Sequence, residues 1–87
     1  MEREYKWMKL SEIKKYVPRM KELGVGTTAR SRAGFIAAYN IAWDNPKRMS
    51  DGWRHRRYEY INRYLPQYKN NPTEGRKLGL IAWGYMP

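Results

Sequence analysis

Apolar residues recur along this chain at intervals of three and four, and two-residue alternation is scarce. The pattern predicts helices. The first opens at Leu10-Ser11, with Ser11 as N-cap, Glu12 in the positive first turn, and Ile13, Tyr16, Val17 and Met20 on one side. Pro18 interrupts it: either the helix breaks at Val17 and a second short one starts, or it kinks. Gly24 supplies a C-terminal stop. Residues 24–31 read as a polar loop. A second helix is predicted over residues 32–43 with Ser31 as N-cap. Its apolar side holds Phe35, Ile36, Tyr39, Ala42 and Trp43. Asp44-Asn45-Pro46 ends it, and Asn45-Pro46 starts a short turn through Met49.

Ser50 caps a third helix that runs to about Leu65, where Pro66 stops or bends it. Residues 66–73 read as a connector. Thr73 caps a last helix from Glu74 to about Gly84, with Leu78, Ile81 and Ala82 inward; residues 78–83 also fit a short strand. The expected fold is all-α: a single compact domain of four or five short helices over residues 10–87, after an N-terminal arm of residues 1–9.

Charge changes the picture. Eighteen Lys and Arg stand against eight Asp and Glu, a formal +10 in 87 residues. Such a chain repels itself, which weakens the compact state and points to a polyanionic partner. The cations are uneven. Up to residue 23 Lys predominates; from Gly24 onward there are eight Arg and three Lys. Arg pairs bidentately with phosphate and stacks on rings, whereas Lys is a hydrated point charge. Four Trp, eight Tyr and one Phe are threaded among them. With 41% apolar residues the chain is too apolar for a disordered basic tail. There is no Cys, hence no disulfide or thiolate site. No apolar leader or membrane span is legible, so the chain is expected to be soluble, with no membrane partner.

Two constellations stand out. The run GVGTTARSR carries hydroxyls at Thr27, Thr28 and Ser31 and guanidinium groups at Arg30 and Arg32. At a helix N-terminus these suit a phosphate; the plainer alternative is a capped loop with solvated arginines. The second is Trp53-Arg54-His55-Arg56-Arg57-Tyr58, with Arg63 beyond it. At roughly 100° per residue from Trp53, the apolar arc spans about 340° to 120°. Arg57 falls in the middle of that arc and Arg54 at its edge. Arg56 and Arg63 lie together on the polar side, at about 300° and 280°. A buried Arg needs a partner. Asp44 or Asp51 could pair with Arg57, the arc could be an exposed ring-and-cation surface, or the side chain could snorkel along Tyr rings.

Phe35, Tyr39, Trp43, Trp53 and Trp83 are expected in the core. Tyr58, Tyr68 and Tyr85 fall off the stripes and could stack bases. Trp7 reads as a docking residue or a partner anchor. His55, the single His, makes no metal site on its own. Eight scattered acids form no legible catalytic pair, so neither an enzyme nor a cofactor is expected.

The runs ARSRAGFIAAYN (residues 29–40), WRHRRYEYINRYLPQY (53–68) and GRKLGLIAWGY (75–85) resemble a group of short uncharacterised proteins of bacteriophages and other large DNA viruses. That resemblance implies a viral origin, in host cytoplasm or virion, and no particular activity. The function expected from the residues is sequence-independent binding of DNA or RNA. Arg30, Ser31, Arg32, Arg56 and Arg63 are the contacts, with Arg54, Arg57 and His55 secondary. The alternative is a protein-binding module that docks on an acidic host protein or sits in a virion as a minor component. The two helices joined at DNPKRMSDG superficially suggest a helix-turn-helix, but that loop exceeds the usual three or four residues.

Overall fold

The computed structural model describes residues 5–87. Among them are four α-helices and one 3-10 turn, and no strand: α1 (Leu10–Leu23), α2 (Phe35–Ile41), the turn Pro46–Arg48, α3 (Asp51–Asn70) and α4 (Glu74–Ala82). The domain is all-α, and residues 78–83 belong to α4 and its end rather than to a strand. Local signals set several boundaries. Ser50 and Thr73 cap α3 and α4, their side chains accepting from Trp53 N and Arg76 N at 3.2 Å each. Gly24 ends α1 in the left-handed conformation, at φ 67°.

Other boundaries differ from expectation, each for a tertiary reason. Both prolines are carried inside their helices. Pro18 and Pro66 are exposed, so the carbonyls they leave without a helical donor can face water. Ile13 and Met20, on either side of Pro18, enter the same core, which holds the helix together across it. α1 is not capped by Ser11. Lys9 occupies the N-cap position, and the Asp44 carboxylate accepts from Leu10 N at 2.6 Å. α2 starts three residues later than expected, with Gly34 as N-cap. Residues 24–34 instead fold into consecutive turns against its start.

The core joins Ile13 and Met20 of α1, Phe35 and Tyr39 of α2, and Leu78, Ile81 and Ala82 of α4, with Trp83 just beyond. Phe35 is its hub: its ring lies 5.2 Å from Trp83, 5.7 Å from Tyr39, 5.9 Å from Trp7 and 6.2 Å from Trp53. Ile61, Leu65 and Leu80 form a smaller cluster under α3. Trp43 is not core. It stands 79% exposed beside Ile41 at 77%, and both Trp43 and Asp44 sit at positive φ, 58° and 59°. The Asp44 conformation serves the cap on α1; the same bend turns Trp43 outward.

The described part of the expected arm, residues 5–9, lies against the helices. Met8 N donates to Gly84 O, and the Tyr39 hydroxyl donates to Met8 O, both at 2.8 Å. Residues 1–4 lie outside the described residues. Burial, and then the neighbouring Asp44 carboxylate, pushes the Tyr39 hydroxyl well above the usual tyrosine range.

Candidate nucleic-acid interface

α3 positions most of the candidate cations, and they part company there. Arg57, in the middle of the apolar arc, is 2% exposed. Its Nε donates to Trp83 O (2.8 Å), Nη1 to Tyr5 O (3.1 Å), and Nη2 to Lys6 O (2.8 Å) and Gly84 O (3.0 Å). The guanidinium carbon lies 3.8 Å from the centroid of the Trp7 ring. The expectation that Arg57 contacts nucleic acid is therefore corrected: it staples residues 5 and 6 to the C-terminal end of α4. The two carboxylates in reach by sequence are engaged elsewhere, Asp44 on Leu10 N and Asp51 with Arg54. Arg54 is thus half-buried and ion-paired within the first turn of α3.

Arg56 and Arg63 are exposed, seven residues apart on one line of the helix, hence about 10 Å apart along its axis. They line one open cleft of about 560 Å³ together with Glu59, Tyr60, Asn62 and Tyr64 of α3, Trp83, and Thr28 from the turns before α2. Arg56 also covers the Trp53 ring at 4.5 Å. The rings succeed one another: Tyr60 stacks on Trp83 (5.0 Å, 21°) and Tyr64 lies 4.5 Å from Tyr60, tilted by 41°. Gly79 permits this, since a Cβ there would stand 2.8 Å from the Tyr60 hydroxyl. Burial, then the adjacent Tyr64, raises the Tyr60 hydroxyl above its ordinary range, so it stays neutral beside the arginines. His55 pairs with Glu59 one turn on.

The first constellation is only partly brought to this cleft. Thr28 lines it; Arg30, Ser31 and Arg32 do not. Arg30 is half-buried and folds back, its Nε donating to Val25 O at 3.0 Å. The Ser31 hydroxyl donates to Thr28 O at 2.7 Å and caps no helix. Arg32 is exposed. The expected anion site on the N–H groups of the second helix is corrected as well. That helix has only seven residues, and Ile36 N is already bonded to Ala29 O at 3.0 Å. Gly34 lets the preceding turns close over the helix start: a Cβ would stand 2.3 Å from Thr28 O and 2.6 Å from Ala29 O.

Tyr58 and Tyr85 pack on Tyr5 at 5.7 and 5.4 Å, and Tyr68 packs on the Ile61–Leu65–Leu80 cluster, so these three serve the body of the protein. The rings of α3 that do line the cleft, Tyr60 and Tyr64, fall within the apolar arc, where helical phase alone points them inward. Their signal in the sequence is the i, i+4 spacing with Arg56 one turn before and Arg63 within one turn after. Among the described residues no group of His, Asp and Glu is placed to hold a metal ion, and no helix is long and apolar enough to cross a membrane. No protein family, curated protein or solved structure matches the chain.

Proposed function

We propose that this protein binds nucleic acid through the phosphate backbone, largely without sequence specificity, at the cleft between α3 and the turns before α2. One observation carries the reading: Arg56 and Arg63, both exposed, share one cleft with Thr28 and a ladder of rings. Two exposed guanidinium groups suit phosphate oxygens. The remaining surplus of the +10 charge draws a polyanion to the surface, and exposed Arg32 adds to it. A role of this kind fits a small phage or viral protein acting in host cytoplasm or in a virion.

The test is binding of random-sequence oligonucleotides between about 50 and 200 mM salt, across which log affinity should fall linearly with log salt. Arg56→Glu with Arg63→Glu should weaken binding at least tenfold and lower the salt slope by roughly one for each phosphate no longer neutralised. Arg30→Glu with Arg32→Glu should weaken it less. Unchanged affinity in both double variants refutes the assignment.

A second reading, docking on an acidic protein, is supported by a different feature. Ile41 and Trp43 project beside a groove that Arg48 also lines, an apolar knuckle next to a cation. If this reading is right, Trp43→Ala abolishes capture of one acidic partner and leaves oligonucleotide affinity intact.

A further inference from the structure

We infer that the cleft accommodates an unpaired nucleotide, its base added to the ring ladder at Tyr64 and its flanking phosphates on Arg56 and Arg63, so that the protein prefers single strands to duplexes. This rests on the phosphate-binding reading and adds the strand class to it.

Three features of the cleft point the same way. It is a shallow concavity of about 560 Å³, open to solvent along one side. A duplex presents a convex sugar–phosphate surface and keeps its base faces stacked inside; only base edges reach the grooves. An unpaired nucleotide has a flat ring to insert. The walls of the cleft match that ring. Trp83, Tyr60 and Tyr64 succeed one another at 5.0 and 4.5 Å, and the ladder ends at Tyr64, which is 36% exposed. Stacking on such a terminal ring tolerates any base, since every base has a π-face.

The third feature is the acid. Glu59 lines the cleft between the two arginines in sequence, with Asn62 beside it. A carboxylate opposes a phosphate, so its place here favours a ligand that also offers hydrogen-bond donors. The exocyclic amino groups and ring N–H groups of unpaired bases are donors, and a carboxylate accepts from them; the Asn62 amide oxygen accepts from the Tyr5 hydroxyl at 3.4 Å. His55 pairs with Oε1 of Glu59, which leaves the second oxygen to accept. Arg56 and Arg63, about 10 Å apart along the helix, then stand to either side of the inserted base.

The experiment is fluorescence anisotropy at about 50 mM salt, where phosphate binding is strong, with four probes: a mixed-sequence single-stranded 12-mer, a hairpin duplex of the same composition, an abasic 12-mer with the same phosphates, and a free mononucleotide. The parent, Tyr64→Ala, Tyr64→Phe and the Arg56→Glu/Arg63→Glu variant are compared. Tyr64 lies at the surface end of the ladder, so its replacement should leave the fold intact, as checked by thermal unfolding. The expected result is at least tenfold tighter binding of the single strand than of the duplex. Tyr64→Ala should lose about tenfold on the single strand and nothing on the duplex, and Tyr64→Phe should restore the loss. The abasic strand should bind the parent as weakly as the full strand binds Tyr64→Ala. Equal binding of single strand, duplex and abasic strand, all weakened by the arginine variant, overturns the inference and leaves phosphate binding standing. A mononucleotide bound as tightly as the 12-mer assigns the cleft to free nucleotides and overturns the strand preference. Binding of none of the four probes removes both readings together.

Discussion

Replacing Arg57 with Met keeps an unbranched apolar stem, removes the guanidinium and vacates the buried space it filled. The consequences for the four carbonyls and the ring described above can be traced one by one. Gly84 O keeps a donor, since Met8 N already bonds to it at 2.8 Å. Tyr5 O and Lys6 O lose theirs, but both bonds are only partly buried and water can replace them in part. Trp83 O lies deeper, in a buried bond, and an orphaned buried acceptor costs about 1–3 kcal/mol. The two partly buried carbonyls lose roughly 1 kcal/mol together, and the cation–π interaction with Trp7 roughly another. Relief from burying a charge offsets some of this. The net expectation is a destabilisation of about 3 kcal/mol. A chain of 87 residues has a total of roughly 4–13 kcal/mol to lose from, so the transition should move far. Urea unfolding at pH 7, followed by Trp fluorescence and far-UV circular dichroism, measures it. Arg63→Met is the control: that side chain is exposed, and its replacement should shift stability by less than about 0.5 kcal/mol. Equal midpoints for the two variants would refute the account of Arg57 as a structural staple and return it to the candidate surface.

Trp43→Gly should leave stability unchanged or raise it by up to about 1 kcal/mol, because the position is 79% exposed and held at φ 58°, where glycine is unstrained; a core Trp would lose about 3–5 kcal/mol on truncation, so a loss of that size in thermal unfolding sinks the placement. Gly34→Ala should destabilise by about 2 kcal/mol or more, since its Cβ meets backbone oxygens at 2.3 and 2.6 Å and the turns over α2 must open; unchanged hydrogen exchange across residues 24–34 would contradict this. Arg19 binds Glu74 through two bonds, at 2.9 and 2.7 Å, and this pairing holds the Glu74 carboxyl below its ordinary value of 4.5. The folded state therefore binds fewer protons there than the unfolded one. The contribution is complete above that ordinary value and fades as pH falls through the depressed folded range. Acid titration of stability should show this leg in the parent and lack it in Arg19→Ala; identical acid legs in the two proteins would refute it.

The parts of this protein legible in its sequence are those decided within a few residues. The helical periodicity, the caps at Ser50 and Thr73, the left-handed end of α1 at Gly24 and the short turn at Pro46 each depend on neighbours one turn away. The anomaly of an arginine inside an apolar arc is legible too, because 3.6-residue geometry alone puts Arg57 there. Its answer is not. The carbonyls that accept from Arg57 lie 26 to 52 residues away, and no local pattern names them. The same holds for Asp44, which caps a helix 34 residues upstream at the expense of a left-handed backbone that exposes Trp43.

Proline is the converse case. Its local rule ends a helix, yet α1 and α3 run through Pro18 and Pro66 because apolar residues on both sides enter a shared core while the prolines themselves lie on the exposed side. The cleft, too, is a tertiary product. Amino-acid order placed Arg56, Tyr60, Arg63 and Tyr64 on neighbouring lines of one helix; only the packing of α3 on α4 and the turns before α2 left those lines facing a concavity instead of the interior. Charge, composition and helical phase are properties of the chain read one turn at a time, whereas burial, long-range pairing and the shape of a surface depend on which distant segments meet.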